Sequence, residues 1–265
     1  MSFIHDDFLL TTETARALYH AHAAERPIID YHCHVDAADI VANRSYENLT
    51  ELWLDGDHYK WRAMRSGGVP EALCTGKGAA YERFLAFAGV LPYAIGNPLY
   101  HWSHLELKRY FDVDDIVSAE SAPHIWAQAN RRLGPNGLRC RDFIAMSRVE
   151  VICTTNDPVE TLTAHTALAE EALPFRVLPT WRPDRVYRLC DAGYPDYVKA
   201  LGRAAGVSVT SVDTLREALK RRLDHFSACG CRLSDHSFET VPTPGDIRAE
   251  EVFAVALSGV PVTKR

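Results

Sequence analysis

The sequence lacks the features of a membrane, secreted or disulfide-stabilised protein. No apolar run approaches the roughly 20 residues that span a bilayer, so we expect no transmembrane helix. The N-terminus, MSFIHDDFLL, has two acids and no basic region, which argues against a signal peptide. The seven cysteines are odd in number and contain no CxxC pair, a pattern typical of small buried thiols in a reducing compartment. We therefore predict a cytoplasmic location and no membrane partner.

An excess of positive charge is also missing. The formal net charge of −6 argues against nucleic-acid binding, and an acidic substrate would need a local cluster of basic residues. What is present is ordinary globular material, since 47% of the 265 residues are hydrophobic and 24% are charged. This composition allows one large α/β domain or two smaller ones.

Residues 27–34, PIIDYHCH, are the most informative stretch. Pro27 ends any preceding helix, and the β-branched pair Ile28 and Ile29 predicts a buried strand. Because side chains alternate along a strand, His32 and His34 are expected to point the same way. Two adjacent imidazoles can bind one divalent metal, but polar residues at the exposed end of a strand give the same spacing. Both interpretations remain open from the spacing alone.

Helical patterns dominate the chain before residue 140. Thr11 or Thr12 can cap a helix that runs to about Glu25 and leads into the first strand. Strand character then disappears, and stretches separated by glycine and proline predict helices at 48–54, 79–87, 100–110 and 123–133. The resulting domains are an N-terminal helix with the first strand over 1–35, an inserted helical domain over 36–140 and a continuation over 141–265.

Strands alternate with helices after this block. Strands are predicted at 149–155, 175–181 and 229–235, and helices at 159–172, 194–205, 212–226 and 249–257. Alternation is typical of parallel βαβ units, and polar residues follow each strand as in a (β/α)8 barrel. A closed barrel needs eight strands, whereas four are visible here. The predicted fold class is therefore α/β, a (β/α)8-type barrel that is only partly present and carries a helical insertion after its first strand.

Three further stretches concentrate reactive groups, and each also has a structural explanation. Residues 55–65 contain a phenol, guanidinium groups and acids. This stretch can stabilise an oxyanion, or it can be a solvated loop that leads into a helix. In residues 180–185, Arg182 follows a strand, where it can bind a carboxylate or belong to an ordinary turn. The last strand ends with Asp235 and His236. These residues can act as acid–base groups or ligands, or they can only cap the end of the strand.

Several stretches resemble the uronate isomerase (glucuronate isomerase) family of the amidohydrolase superfamily. They are DYHCHV, LWLDGDHYKWRAMRSGGV, IGNPLYHWSHLELKRYF, TTNDPVETL, VLPTWRPD and RLDHFSACGCRLSDHS. GDHYKWRAMR and NPLYHWSHLEL are typical of this family rather than of the whole superfamily. The resemblance implies a distorted (β/α)8 barrel with a small helical domain inserted after the first strand. It also implies interconversion of D-glucuronate with D-fructuronate and of D-galacturonate with D-tagaturonate.

The resemblance assigns roles residue by residue. His32 and His34 match the metal-binding pair, which implies a divalent metal, zinc, that the family does not strictly need for isomerisation. Tyr59 and His58 match the pair in the insert that touches substrate, and Arg182 matches an arginine near the substrate carboxylate. The remaining candidates are Asp235 and His236 for catalysis, and Trp181 and Arg62 for substrate binding. The expected mechanism is a proton shift from C2 to C1 through an enediol, with Tyr59 and a cation stabilising the enediolate.

The chain departs from the family in length. Members continue further and supply an aspartate on the eighth strand and a nearby arginine, which no residue here matches. We therefore expect a homo-oligomer or a missing C-terminal half, and a chain that by itself is inactive and either poorly soluble or oligomeric. Two other hypotheses stay open. Hydrolysis of an amide or lactone without uronate turnover would favour a metal-dependent hydrolase, and size-exclusion chromatography with metal analysis tests for a non-catalytic half-barrel that binds another chain.

Overall fold

The computed structural model of the chain describes residues 2–238 and 248–260. The chain forms two compact units. Unit 1 comprises Met1–Pro27 with Ala42–Arg148, and unit 2 comprises Ile28–Val41 with Val149–Arg265. The division predicted at 1–35, 36–140 and 141–265 stays a prediction, and its last segment includes residues 239–247 and 261–265, which lie outside the described part.

Helices outnumber strands among the described residues. In chain order the elements are α1 (Glu13–Leu18), β1 (Ile28–Asp30), α2 (Ala37–Ala42), α3 (Leu49–Leu54), α4 (His58–Ser66), α5 (Glu71–Cys74), α6 (Ala80–Val90), α7 (Pro98–Phe111), α8 (Ala122–Asn130), α9 (Cys140–Met146), β2 (Val149–Asn156), α10 (Thr163–Glu170), β3 (Arg176–Trp181), α11 (Tyr194–Ala205), α12 (Val212–Ala228) and α13 (Ala249–Leu257). A π-helical turn follows α1 at Tyr19–Ala23, and 3-10 turns lie at Leu91–Ala94 and Asp184–Tyr187. None of the described helices is both long enough and apolar enough to cross a bilayer.

Unit 1 is helical, as its sequence pattern predicts. Elements α3, α6, α7 and α8 confirm the four predicted helices to within a few residues. Their apolar faces meet in one core, in which Leu49, Phe84, Phe87, Leu107 and Ile125 are fully buried. The core is rich in aromatic rings, which bury a large apolar area per residue and stabilise a unit that has no sheet among its described residues.

Unit 2 contains a three-stranded parallel sheet in the order β1-β2-β3. The central strand β2 is buried at Val151, Ile152 and Cys153, as expected when both neighbours pair with it and helices cover the sheet. The predicted strands at 149–155 and 175–181 are confirmed, and parallel pairing places the C-terminal ends of β2 and β3 at the same edge. Helices α11 and α13 were predicted with their observed bounds.

The prediction of a buried first strand is wrong. Ile28 is 44% exposed and Ile29 is 54% exposed, because β1 pairs only with β2 among the described residues and forms the edge of the sheet. The strand also ends at Asp30, so His32 and His34 lie in the segment that follows it rather than on the strand. Apolar residues show that a segment suits a sheet, but they do not show how many neighbours cover it.

The prediction of a strand at 229–235 is also wrong. Helix α12 continues to Ala228, and Gly230 has a φ of +93°, so the chain turns where the strand was expected to begin. Only an isolated parallel bridge between Trp181 and Ser234 remains. This bridge still places the following residues beside the end of β3.

Candidate active site

Two histidines lie side by side beyond β1. The backbone N–H of Cys33 donates to the carbonyl of Cys153 at 3.1 Å, and the Thr155 hydroxyl donates to the carbonyl of Cys33 at 2.7 Å. These bonds hold the segment against β2 after regular pairing has ended. The rings of His32 and His34 have centroids 5.0 Å apart and are nearly perpendicular. The adjacency predicted from their spacing is therefore present.

Asp235 and Arg182 lie next to this pair. The Trp181 N–H donates to the carbonyl of Leu233 at 3.0 Å, and the Asp235 N–H donates to the carbonyl of Trp181 at 3.0 Å. Oδ2 of Asp235 then lies 3.4 Å from Nδ1 of His32 and 3.4 Å from Nε of Arg182. This oxygen is buried and accepts no hydrogen bond from the described residues, so it can accept one from a substrate hydroxyl.

Asp184 connects Arg182 to His236. It lies in the 3-10 turn after β3 and is 7% exposed. Its carboxylate accepts hydrogen bonds from Arg182 Nε at 3.1 Å, from the Tyr187 hydroxyl at 2.6 Å and from the Ser237 N–H at 2.8 Å. Burial opposes ionisation, but these three donors hold the pKa of Asp184 below its usual value. Nδ1 of His236 lies 2.8 Å from the Tyr187 oxygen.

Trp181 has a different environment from its neighbour Arg182. Its indole packs edge-on against Phe226 of α12, with ring centroids 5.0 Å apart, in a cluster with Leu162 and Cys231. These contacts are structural, and its role in substrate binding stays a prediction.

His58, Tyr59 and Arg62 belong to unit 1 and lie on α4. Asp57 caps this helix, accepting hydrogen bonds from the Tyr59 N–H at 2.9 Å and the Lys60 N–H at 3.2 Å. The rings of His58 and Tyr59 have centroids 4.3 Å apart and are tilted by 31°, and the Arg62 guanidinium lies 5.2 Å from the Tyr59 centroid. The structure thus favours an ordered helix start over a solvated loop at this position.

A groove of about 610 Å³ opens beside α4 in unit 1. It is lined by residues that include Tyr59, Arg62, Ser66, Tyr93, Asn97 and Trp102. Aromatic faces with a guanidinium suit a ligand that has both an apolar face and a negative charge.

Sequence patterns missed the roles of two charged residues, Lys60 on α4 itself and Glu106 on α7. The Lys60 ammonium is buried and lies 2.8 Å from the Asp57 carboxylate, so that it holds the capping residue in place. Burial raises the pKa of the nearby Glu106 carboxyl, while the Lys60 charge opposes the shift. In a helical sequence pattern, Lys60 and Glu106 look like ordinary surface charges. Only the folded structure shows that Lys60 is buried and pairs with the capping residue Asp57, and that Glu106 is partly buried.

The candidates therefore form two sets. In unit 2 the structure brings together His32, His34, Arg182, Asp235 and His236, and in unit 1 it brings together His58, Tyr59 and Arg62. Convergence of the two sets on one cavity stays a prediction. Asp184 and Tyr187 were missed as site residues. Asp184 ends the WRPD stretch and Tyr187 follows it by three residues, so closeness to Arg182 in the chain was the only signal available.

Comparisons with known proteins identify the relatives of this chain. All 265 residues match the model of a family described as glucuronate isomerase. The uronate isomerase of Lactococcus lactis subsp. cremoris is 48% identical over 240 residues, which cover 91% of this chain and 51% of the relative. The uronate isomerase of Salmonella paratyphi B is 44% identical over 264 residues, which cover 97% and 56%.

Solved structures give the same result. The crystal structure of uronate isomerase from Thermotoga maritima matches with a TM-score of 0.90 and 36% identity, covering 100% of this chain and 58% of that one. The structure of glucuronate isomerase from Caulobacter crescentus matches with a TM-score of 0.85 and 26% identity, covering 97% and 56%.

These relatives are all named as sugar-acid isomerases, and the likeness to their structures supports an α/β fold for this chain. It belongs to the glucuronate isomerase family, whose model it matches over its whole length. The resemblance seen in the sequence motifs is thus confirmed. The chain spans about half the length of the curated relatives it matches.

Proposed function

We propose that this chain forms part of a uronate isomerase, which interconverts D-glucuronate with D-fructuronate and D-galacturonate with D-tagaturonate. The observation that carries the proposal is the cluster beyond the strand ends, where Oδ2 of Asp235 lies 3.4 Å from Nδ1 of His32 and 3.4 Å from Nε of Arg182. We propose that the fold completes as a (β/α)8 barrel of the amidohydrolase type. The exposed edge strand β1 supports this, because such an edge is normally paired or covered.

Arg182 is suited to bind the substrate carboxylate. Among the described residues it uses only Nε in ion pairs, with Asp184 and Asp235. Its terminal nitrogens are therefore available for a carboxylate, which a guanidinium binds through two parallel hydrogen bonds. The two carboxylates hold the guanidinium plane in one orientation.

A further cation is expected near this cluster. Two carboxylates, Asp184 and Asp235, face one guanidinium, so an anionic substrate would meet an excess of negative charge. Within the described residues no group of three or more His, Cys, Asp or Glu side chains can hold a metal, so His32 and His34 do not complete a site alone. We propose that a divalent metal, zinc, binds when a ligand from the rest of the polypeptide joins them. Bound there, it supplies positive charge and is not strictly required for the proton shift.

The proposed chemistry moves one proton. A base on the enzyme removes the C2 proton of the open-chain aldehyde, the C–H electron pair forms the C1=C2 double bond, and the carbonyl pair moves to O1, which is protonated. Loss of the O2 proton then forms the ketone as C1 takes up a proton. The Tyr59 hydroxyl stabilises the enediolate, and Oδ2 of Asp235 accepts a hydrogen bond from a substrate hydroxyl.

The partners and location follow from the same chemistry. The proposed ligand is a small uronate, and the proposed assembly is a homo-oligomer or a complex with the polypeptide that the longer relatives contain. A cytoplasmic location is supported by Cys74, Cys153 and Cys231, which are buried thiols without disulfide partners.

Reconstitution tests the function. The chain is mixed with a separately produced polypeptide that carries the part of the Lactococcus lactis uronate isomerase beyond the match, and co-elution confirms assembly. We expect turnover of D-glucuronate only in the mixture, with solvent deuterium incorporated at C1 of the ketose when the reaction runs in D2O. The variant Arg182→Met should lower kcat/KM by roughly 10- to 100-fold, the value of a lost charge-assisted hydrogen bond.

The controls separate the alternatives. Arg221→Met removes an exposed arginine of α12 and should leave turnover unchanged. An assembled complex that turns over neither uronate contradicts the proposal, and hydrolysis of an amide or lactone by that complex would identify a hydrolase instead. Metal analysis of the chain before and after assembly tests the zinc proposal, which requires bound zinc to rise on assembly.

A further inference from the structure

We propose that Asp184 is a positioning residue that acts through Tyr187 to fix the tautomer of His236, with hydrogen on Nδ1 and a lone pair on Nε2. Its role in catalysis rests on the proposed uronate isomerase function. The tautomer itself follows from hydrogen-bond donors and acceptors in unit 2. Nothing in the motifs of the sequence assigns a role to Asp184 or Tyr187.

The argument starts from Asp184 as an acceptor. Its Oδ2 receives hydrogen bonds from the Ser237 N–H at 2.8 Å and from Arg182 Nε at 3.1 Å, neither of which can accept in return. Two donors on Oδ2, one of them charged, stabilise the ionised carboxylate, and together with the Tyr187 hydroxyl they hold the pKa of Asp184 below its usual value against the opposing effect of burial. Asp184 therefore has no proton to give to Tyr187.

The direction of the next bond follows. A phenol has one proton, and the Tyr187 hydroxyl donates it to Oδ1 of Asp184 at 2.6 Å. The Tyr187 oxygen also lies 2.8 Å from Nδ1 of His236, and it can only accept there. Nδ1 must therefore carry the hydrogen. A neutral imidazole carries a single N–H, so Nε2 keeps its lone pair.

Local structure holds the three groups in place. The 3-10 turn Asp184–Tyr187 brings residues i and i+3 to the same side, which lets Tyr187 reach back to Asp184. The Phe238 ring stacks on both partners, with centroids 5.3 Å from Tyr187 and 5.5 Å from His236, each at 21°. The ring planes are thus restrained as well as the hydrogen bonds.

This arrangement prepares His236 to act as the base. Nε2 accepts the C2 proton of the aldehyde, while the C–H electron pair stays with the substrate as the C1=C2 double bond. The resulting imidazolium keeps its Nδ1–H bond to Tyr187, and the Asp184 carboxylate, 3.5 Å from Nδ1, stabilises the new charge. The imidazolium then delivers a proton to C1, and exchange of its N–H with water before delivery accounts for the solvent deuterium expected at C1.

Nitrogen NMR of the 265-residue chain measures the tautomer without substrate. Two-bond proton–nitrogen correlations of chain labelled with 15N-histidine distinguish the two tautomers, and the His236 signals are assigned by their loss in His236→Gln. We expect neutral His236 to show a protonated Nδ1 and an unprotonated Nε2. In Tyr187→Phe and in Asp184→Ala the signals should shift to the Nε2–H form that free imidazole prefers. Tyr93→Phe, at a tyrosine that is 91% exposed in unit 1, should leave them unchanged.

Two results would overturn the inference. One is an Nε2–H tautomer in the unaltered chain, which needs no variant and does not depend on any variant folding. The other is an unchanged His236 spectrum in Tyr187→Phe when circular dichroism shows a folded protein. This experiment measures no turnover, so a negative result does not contradict the isomerase proposal. Equally, a failed reconstitution does not contradict the proposed tautomer of His236.

Discussion

Arg222 is predicted to be the most important charged residue for the stability of unit 2. It lies on α12, is 7% exposed, and donates hydrogen bonds to three backbone carbonyls. These are the carbonyls of Pro158 at 2.7 Å, Glu160 at 2.7 Å and Ala204 at 3.2 Å. The first two belong to the loop that follows β2 and the third to α11. One guanidinium therefore joins three segments that the sequence separates.

The expected cost of Arg222→Met is worked from these bonds. A hydrogen bond to a charged group contributes roughly 1.5–3 kcal/mol, so three bonds set an upper range of about 4.5–9 kcal/mol. Methionine removes the cost of burying a charge, which offsets part of this loss. We expect a decrease of about 3 kcal/mol in the free energy of unfolding. Methionine keeps most of the apolar stem, so the effect reports the guanidinium rather than a cavity.

Urea unfolding followed by circular dichroism measures the change, and the neighbouring residue provides the control. Arg221 is 52% exposed at its side chain and pairs with Glu217 at 2.8 Å. Arg221→Met removes the same charge from the same helix and should cost less than about 1 kcal/mol. If the two variants unfold within 1 kcal/mol of each other (roughly the range of a surface ion pair), the assignment of the three bonds to stability is incorrect.

Two further predictions concern unit 1. Asp57→Ala removes the cap of α4 and the partner of buried Lys60, and should cost about 1–2 kcal/mol in thermal unfolding. Burial opposes ionisation of Asp57, but the Lys60 charge lowers the pKa of its carboxyl in the folded state. The stabilisation is therefore present above the pKa of Asp57 in the unfolded chain and is lost as the pH falls below about 4. Asp57→Asn should remove this pH dependence. Burial lowers the pKa of His104 from 6.5, while the Tyr100 carbonyl opposes the shift. As the pH falls, the unfolded state binds the proton first, so the free energy of unfolding should decrease below pH 6.5. A free energy of unfolding that does not change below that pH contradicts the reasoning, as does an unchanged pH dependence in His104→Gln.

Helices were the most predictable part of the fold. The bounds of α11 and α13 were predicted as observed, and α12 begins at the predicted Val212 after its cap Ser211. Apolar periodicity and capping act within a few residues, so the local sequence contains the information. The strand predicted at 229–235 was wrong because pairing requires a free neighbour, and the turn at Gly230 leaves only one bridge.

The site was predictable in its members but not in its connections. The spacing of His32 and His34 predicted that they are neighbours, and they are, although the strand that was expected to hold them ends at Asp30. The approach of Asp235 to His32 depends instead on the bridge between Trp181 and Ser234, which joins segments far apart in the chain. The hydrogen bond between the Ser237 N–H and Asp184 was unpredictable for the same reason, since the two residues lie more than fifty positions apart in the chain.

By itself, the sequence determined the helices, the parallel βαβ alternation, the family and the residue types at the candidate site. The tertiary structure decided which strand is an exposed edge, which carboxylate faces which cation, and which nitrogen of His236 carries the hydrogen. The physical reason is range. Periodicity, capping and turn preferences are set by neighbours along the chain, whereas burial, ion pairing and hydrogen-bond direction depend on groups that meet only after the chain has folded.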